Sequence, residues 1–401
     1  MGGLVESRGL DPEVIDLAVA RADTPGSHRG VFLDSAGSSL PPVQVLDEVV
    51  NHLRREAEVG GYRAAAERAD DLAAGYGLLA TLLGCEADEI AFTDSATRSW
   101  LTVFDALPLG PGDRVLSTEV EYGGNAIPLL RRAAEVGASV EHIPSDASGA
   151  VDVSALRSML DDRVRLVSLV HVPTNGGLVN PASSVIEAAH EAGALVLLDA
   201  CQSAGQVALD SVDADIVTGT GRKWLRGPRG TGFLMVRKRI RSVLRPRQVD
   251  LMSGTWTSPD EFTLREDARV FELWESSVAD RLGLIAAVRY ALALGIPNIE
   301  STVRTRGEHL RAGLAALPGV TVHDLGTTRC GLVTFTVKDV PAATVRDHLA
   351  NQNITVTTSG PTSTQYDMTR RGLDAVVRAS PHYFNTPAEL DETVTAVAQM
   401  L

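Results

Sequence analysis

Lysine is scarce in this chain of 401 residues. Lysine and arginine together number 37, yet the only lysines are Lys223, Lys238 and Lys338. Lys238 lies in a basic run and Lys338 near a turn, and both settings are typical of solvated side chains. Lys223 differs because glycines flank it on both sides and an apolar run that ends in an acid precedes it. It is therefore the lysine best suited to chemistry.

Cysteine is equally rare. The three cysteines, Cys85, Cys201 and Cys330, lie far apart and are odd in number. This usage is more typical of a reducing cytoplasm than of a disulfide framework, so we expect a cytoplasmic protein. No CxxC pair or histidine-rich cluster suggests a metal site, and we expect none.

Positive charge and long apolar runs are also lacking. The formal net charge is -14, which argues against nucleic acid as a partner because phosphate binding needs clustered positive charge. No run approaches the roughly 18 apolar residues of a membrane span. We expect neither a nucleic-acid partner nor a membrane.

Short apolar runs alternate with helical stretches from about residue 89 to 236. This rhythm predicts an α/β fold with a mostly parallel central sheet and helices on both faces. The strand at 232–236 follows its neighbour through a short turn, so we expect it to be antiparallel. We assign 31–275 to a large domain, and 1–30 with 276–401 to a smaller α+β domain.

Two of these apolar runs end in groups that carry chemistry. The run 194–198 ends at Asp199, and a second run leads into Lys223. Ligands of open α/β sheets lie beyond the carboxyl ends of the strands. Pyridoxal phosphate (PLP) needs a lysine that bonds to its aldehyde and an acid that keeps its ring nitrogen protonated. We therefore predict PLP as the cofactor, with Arg222 and Arg226 favouring a neutral Lys223 amine.

A run of small hydroxyl residues, TDSAT (93–97), opens a predicted helix. Backbone N–H groups and the positive end of the helix dipole make such a start an anion site suited to the cofactor phosphate. An ordinary helix cap is the alternative interpretation.

Three longer motifs carry a family resemblance: DACQSAG (199–205), GRKWLRGPRGTGFL (221–234) and RASPHYFNTPAELD (378–391). With them the chain resembles the class V aminotransferase family of fold-type I PLP enzymes, from about residue 31 to 400. The resemblance implies a large PLP-binding domain and a homodimer.

The resemblance also implies a role for each matching position. The expected cofactor-binding residues are Ser95, Ala96, Thr97 and Thr220 at the phosphate, Asn175 and Gln202 at the ring hydroxyl, Asp199 at the ring nitrogen, Lys223 at the aldehyde, and Thr255 at the phosphate of the neighbouring subunit. Tyr122 takes the place of a histidine that stacks on the ring in desulfurases. Arg378 is expected to bind the substrate carboxylate, with Arg222 nearby.

Plain structural interpretations stay open for several of these residues. Asn175 is then a turn residue, Gln202 a buried amide, Tyr122 a packing residue and Arg378 a surface arginine.

One departure separates the chain from cysteine desulfurases. They carry a nucleophilic cysteine before the last strand, and the corresponding segment 355–372 has none. The segments REAEVGGY (55–62) and EYGGN (121–125) instead resemble C–S lyases of the ergothioneine pathway and a related branch in lincosamide-antibiotic biosynthesis.

We therefore expect a PLP-dependent C–S lyase that cleaves an S-substituted cysteine by β-elimination. The alternatives are decarboxylation with oxidative deamination of such a conjugate, and epimerisation like that of isopenicillin N epimerase. A catalytically inactive binding protein is the rival from another class, and the presence of both Lys223 and Asp199 counts against it.

Overall fold

The computed structural model describes residues 15–401 of the chain. Strands in the first part of that range are β1 (Val31–Phe32), β2 (Ile90–Thr93), β3 (Arg114–Thr118), β4 (Ser139–Ile143), β5 (Val164–Val170), β6 (Leu195–Asp199), β7 (Ile216–Thr220) and β8 (Gly232–Val236). A seven-stranded sheet has the order β2-β8-β7-β6-β5-β3-β4. Its strands from β7 to β4 are parallel, whereas β8 is antiparallel to β2 and β7. The predicted mostly parallel sheet and the reversal of β8 are both confirmed.

Helices cover both faces of this sheet. Those in the first part of the chain are α1 (Leu17–Ala22), α2 (Ser35–Ser38), α3 (Val43–Val59), α4 (Gly61–Glu67), α5 (Ala69–Leu83), α6 (Ala96–Ala106), α7 (Gly123–Val136), α8 (Val153–Met159) and α9 (Ala182–Glu191). The position of strand β6 between two layers of helices explains why its sequence is continuously apolar. Val196 and Leu198 pack in the core cluster that contains Val185 of α9, whereas Leu197 packs in the cluster that contains Phe104 of α6. A strand buried on both faces needs an apolar residue at each position.

The helical stretch predicted at 62–84 is divided in two. Arg68 separates α4 from α5, and its backbone is not helical. The predicted end at Gly84 is correct: this residue caps α5 in the left-handed conformation, with φ 61°. A Cβ atom there would overlap the backbone carbonyl of Asp210, so glycine is needed for both reasons.

The second part of the chain contains a smaller sheet. The strands in this part of the chain are β9 (Gly254–Ser258), β10 (Glu261–Leu264), β11 (Val320–Val322), β12 (Val333–Val337), β13 (Ile354–Thr355), β14 (Thr357–Ser359) and β15 (Val376–Ala379). Its helices are α10 (Val278–Leu294), α11 (Ile296–Ala315), α12 (Ala342–Ala350), α13 (Gln365–Arg370) and α14 (Pro387–Ala398). Four strands pair antiparallel in the order β11-β12-β15-β14, and β9 with β10 forms a separate hairpin.

Two segments cross the predicted division between domains. Strand β1 pairs in parallel with β13, and Val31 and Leu33 belong to the core of the smaller sheet. Helix α10 packs against α3 and α5. The division at 275/276 stays a prediction, and residues 1–14, assigned to the small domain, lie outside the described residues. The pairing of β1 with β13 matters because it brings Asp34, which follows β1, next to Arg378 of β15.

Within residues 15–401 no single helix combines the length and apolar character needed to cross a membrane. Taken together, α10 and α11 meet those criteria, but they are bent by 83° at the break between them.

Candidate active site

A cavity lies at the carboxyl ends of β5, β6 and β7, beside the first turn of α6. It has about 550 Å³ of empty space, part of which opens to solvent, within the range of small-ligand sites. Its walls are Ser95, Ala96, Thr97, Tyr122, Val170, Val172, Thr174, Asp199, Cys201, Gln202, Thr220, Arg222 and Lys223. The position matches the rule for open α/β sheets.

Asp199 ends β6 and is buried, with 6% of its surface exposed. Two donors orient its carboxylate. The Cys201 backbone N–H donates to Oδ1 at 2.9 Å, and the Asn125 side-chain amide donates to Oδ2 at 2.7 Å. An oriented, buried carboxylate facing a cavity is a suitable partner for a protonated ring nitrogen.

Lys223 lies in the turn after β7 and lines the same cavity. Burial lowers the pKa of its amine, and the charges of Arg222 and Arg378 lower it further. Cys201 and Asp199 act in the opposite direction and raise this pKa. A depressed pKa makes the amine available as a nucleophile and base. The predicted effect of Arg226 on the pKa of Lys223 is not seen. The Arg226 guanidinium instead donates to Tyr383 Oη at 2.6 Å.

The first turn of α6 forms one wall. Ser95 Oγ accepts from the Arg98 N–H at 3.1 Å, so it is a true helix cap. The N–H groups of Ala96 and Thr97 are in the first turn and have no acceptor within the helix. A Cβ atom on Gly232 of β8 would overlap the backbone of Ser95 and Ala96. The helix cap is therefore confirmed, and the role of this turn as an anion site stays a prediction.

Arg378 of β15 is buried behind Thr174. Its Nη1 donates to Thr174 Oγ1 at 2.8 Å, and its Nη2 donates to Asp34 Oδ1 at 3.2 Å. The Nε atom is buried with no partner. Burial lowers the pKa of this guanidinium, and Asp34 opposes the shift. A buried, oriented guanidinium with a free donor is suited to a substrate carboxylate.

Comparison with known proteins places this geometry in a family. Residues 31–393 match the sequence profile described as aminotransferase class V. The chain belongs to the class V aminotransferase family. The family suggested by the sequence motifs is thus confirmed, as is the α/β fold of fold type I.

Individual relatives of this class V chain differ in activity. The cysteine desulfurase of Haloferax volcanii is 30% identical over 410 residues, which cover 93% of this chain and 91% of the relative. A "probable hercynylcysteine sulfoxide lyase" of Mycobacterium tuberculosis is 32% identical over 373 residues, covering 92% and 89%. A solved mutant of C-DES with glycine covalently linked to its PLP cofactor has a TM-score of 0.84 at 25% identity, covering 94% and 98%.

Asn175, predicted to bind the ring hydroxyl, lies outside the lining of the cavity. Its amide donates to Asp367 Oδ2 at 2.8 Å, and it is not among the cavity walls. The preceding residue, Thr174, lines the cavity instead. Gln202, also a wall residue, donates to Thr174 Oγ1 at 3.3 Å and accepts from the indole N–H of Trp224 at 2.9 Å. The side chain of Asn175 thus faces Asp367, and its role at the ring hydroxyl stays a prediction.

The other predicted residues fall in two places. Tyr122 and Arg222 line the cavity, and an Arg222 Nη1–H also donates to the carbonyl of Gly37. Tyr122 is 42% exposed. Thr255 lies in the exposed β9–β10 hairpin and does not line this chain's cavity. Its role at a partner's phosphate stays a prediction.

The sequence interpretation missed two residues behind Asp199. Asn125, in the first turn of α7, bonds Asp199 and also donates to Glu121 Oε1 at 3.0 Å. Glu121 is buried, and it lies in the loop between β3 and α7. The motif EYGGN contained both residues, but nothing in its spacing indicated that they contact a strand 74 positions away.

None of the three cysteines is an activated thiol. Burial raises the pKa of Cys85 to about 12 and that of Cys330 to about 11. Burial and the nearby Asp199 carboxylate raise the pKa of Cys201 well above its ordinary value. Nucleophilic cysteines need the opposite shift, because the thiolate is the reactive form. The segment 355–372 has no cysteine, and its Thr362 carbonyl lies close to Gly123, the residue after Tyr122.

Proposed function

We propose that this class V protein is a PLP-dependent C–S lyase that cleaves an S-substituted cysteine by β-elimination. One observation carries the proposal. Lys223 and Asp199 line the cavity, and the buried Arg378 bonds the wall residue Thr174, whereas each cysteine has a raised pKa. The set supports chemistry at Cα of an amino acid without sulfur transfer to a protein thiol.

The residues present fit PLP at each of its polar ends. The first turn of α6 offers N–H groups to the phosphate, and Gly232 leaves room for that turn beside β8. Asp199 would pair with the ring nitrogen, and Lys223 would supply the amine for the aldehyde. Gln202 and Thr174, also walls of the cavity, would border the ring. The cofactor is pyridoxal phosphate, and when bound it supplies an electron sink for the pair released at Cα.

Each residue then has a defined task. Arg378 binds the substrate carboxylate and fixes which bond at Cα faces the cofactor. Lys223, whose pKa burial lowers, accepts the α-proton at Nζ. Asp199 holds the proton on the ring nitrogen. Tyr122, a wall of the cavity that is 42% exposed, would stack on the cofactor ring.

The net reaction balances without an external oxidant. The Cα–H and Cβ–S bonds break, and one water is consumed. A thioether R–S–CH2–CH(NH3+)–COO− gives the thiol R–SH, pyruvate and ammonium. The corresponding sulfoxide, R–S(O)–CH2–CH(NH3+)–COO−, gives the sulfenic acid R–SOH with the same two products. Lys223 returns the α-proton to the products, so the protein is unchanged.

Free L-cysteine tests the proposal against desulfuration. A lyase converts cysteine to sulfide, pyruvate and ammonium. Sulfur transfer to a protein thiol leaves the three-carbon unit as alanine and a persulfide on the chain. We expect pyruvate as the three-carbon product and no mass increase of one sulfur on the protein. Alanine with a persulfide on any of the three cysteines contradicts the proposal.

We also propose that the chain forms a homodimer. In the β9–β10 hairpin, Thr255 is next to a cross-strand pair of exposed aromatic residues, Trp256 at 70% and Phe262 at 65% exposure. Burying this hairpin against a second copy would bring Thr255 to the partner's phosphate site. Light scattering tests this, since Trp256→Ala with Phe262→Ala is expected to give monomers with weaker PLP binding. An unchanged dimer contradicts it.

The setting we propose is the cytoplasm, in the biosynthesis of a sulfur metabolite of the ergothioneine or lincosamide type. All three cysteines are free thiols, as a reducing compartment maintains them. Activity on imidazole-bearing against sugar-bearing cysteine conjugates distinguishes the two pathways.

A further inference from the structure

Glu121 is a buried carboxylate that takes no direct part in the tasks above. Only 4% of its surface is exposed. Four donors converge on its two oxygens. Oε2 accepts from the hydroxyls of Ser117 and Ser168, both at 2.9 Å. Oε1 accepts from the Tyr122 N–H at 2.9 Å and from the Asn125 amide at 3.0 Å. This is a site built for a carboxylate, because each neighbour donates.

Asn125 joins this carboxylate to Asp199. The same Nδ2 atom donates to Glu121 Oε1 at 3.0 Å and to Asp199 Oδ2 at 2.7 Å. An amide nitrogen has two hydrogens, so both bonds form at once. The Asn125 amide therefore fixes the distance between two like charges and points Asp199 at the cavity.

We propose that Glu121 is a positioning residue that acts through Asn125 and Asp199 to strengthen the binding of a protonated cofactor ring. Its negative charge behind Asp199 raises the proton affinity of the Asp199–ring pair. The inference rests on the proposed PLP site, not on the C–S bond that is cleaved.

The charge of Glu121 changes within the physiological range. Burial, followed by the charge of Asp199, raises its pKa to about 7, and the bonds from Asn125, Ser168 and Ser117 oppose that rise. Asp199 is the charged group that faces it. A protonated Glu121 is electrically equivalent to a glutamine, and an ionised one is not. The contribution of Glu121 to PLP binding is therefore expected to appear as the pH rises.

The test is the dissociation constant of PLP from the apo-protein, measured from about pH 5.5 to 8.5 for the wild type and Glu121→Gln. Serine hydroxyls can rotate to accept from the new amide, so the fold is kept. Ionisation of PLP and of Lys223 affects both proteins alike, and the ratio of the two constants isolates Glu121. We expect a ratio near 1 at the acidic end that rises to about tenfold at the basic end.

Glu119→Gln is the matched control. Glu119 is also buried, but it bonds the Ser145 N–H and Arg370 and lies outside the Asn125 network. The ratio of the PLP dissociation constant of Glu119→Gln to that of the wild type is expected to be constant with pH. Ser168→Ala removes one donor from Glu121. The ratio of PLP dissociation constants is then measured between Ser168→Ala with Glu121→Gln and Ser168→Ala alone. We expect this ratio to rise at higher pH than it does in the wild-type background.

Three results separate the claims. A Glu121→Gln ratio that is independent of pH overturns the inference, because a merely structural role weakens binding equally at each pH. If Glu121→Gln does not fold, a Ser168→Ala variant whose PLP constant follows the wild-type pH profile overturns it equally. Wild-type protein that binds no PLP overturns both this inference and the proposed function.

Discussion

Asp34 and Arg378 meet at 3.2 Å although 344 positions separate them along the chain. Strand β1 pairs with β13 and places Asp34 beside β15, where its carboxylate accepts from Arg378 Nη2. Thr174 holds the other amino group of the guanidinium. The clamp, as we name Arg378 with Asp34 and Thr174, is the proposed site for the substrate carboxylate and combines a residue of β15 with residues that follow β1 and β5.

Arg378→Gln is expected to lower kcat/KM for a cysteine conjugate by about 100-fold, since a charge-assisted pair is worth roughly 1.5–3 kcal/mol. PLP binding should be retained. Steady-state kinetics and PLP absorbance measure the two effects. Arg370→Gln is the control, because Arg370 is half-exposed and pairs with Glu119. Equal losses from both variants would contradict a specific role for Arg378.

Asp34→Asn tests how the clamp is held. The amide keeps a hydrogen bond to Arg378 but removes the charge that opposes its desolvation. We expect KM to rise by about tenfold with little change in kcat, because orientation of the carboxylate is weakened and the chemistry is not. A fall in kcat at constant KM would place Asp34 in the chemical step instead.

Lys223→Ala is expected to abolish covalent PLP attachment and to reduce turnover by about 10³-fold or more. Borohydride reduction followed by intact-mass measurement detects the attachment. Lys238→Ala is the control, since Lys238 lies in a short helical segment at the surface. Substantial turnover by the Lys223 variant contradicts its assignment as the base.

The cysteines are expected to be dispensable. Separate alanine variants of Cys85, Cys201 and Cys330 should keep turnover within about threefold, because the raised pKa of each thiol makes it a poor nucleophile. Pyruvate formation from a cysteine conjugate is the measurement. A loss of about 100-fold in any one variant would point to thiol chemistry of the desulfurase kind.

Glu121 gives a pH dependence of stability with a defined sign. Its pKa is raised from 4.5 to about 7 in the folded protein. Its contribution to the free energy of unfolding is therefore fully present below the unfolded pKa and lost as pH rises through the folded one. Between about pH 5 and about pH 8, the free energy of unfolding of the wild-type apo-protein is expected to fall by about 2–3 kcal/mol more than that of Glu121→Gln. Urea unfolding at the two pH values measures it, and a constant difference contradicts the shift.

The sequence alone predicted the sheet and the residues that end its strands. Asp199 was recognisable because a strand buried on both faces is continuously apolar and its end is marked by the first polar residue. Lys223 was recognisable as the lysine that follows the next apolar run. Thr174 and Asn175 show the limit of this reasoning. Both follow β5 in a turn, and only the backbone path decides that Thr174 faces the cavity while Asn175 turns to Asp367.

Contacts over long separations were beyond prediction for a related reason. Asn125 meets Asp199, and Asp34 meets Arg378, because strand order brings distant segments together. Local periodicity carries no information on strand order. The break at Arg68 in the helical stretch likewise depends on packing, since Arg68 pairs with both Glu48 and Asp71.

Mass spectrometry of the products tests the central claim most directly. The PLP-loaded protein is mixed with an S-alkyl cysteine, once as the thioether and once as the sulfoxide. Pyruvate with a released thiol or sulfenic product is the result that the account predicts. Carbon dioxide with sulfur retained in an aldehyde, or an unchanged mass with an inverted α-carbon, would contradict it.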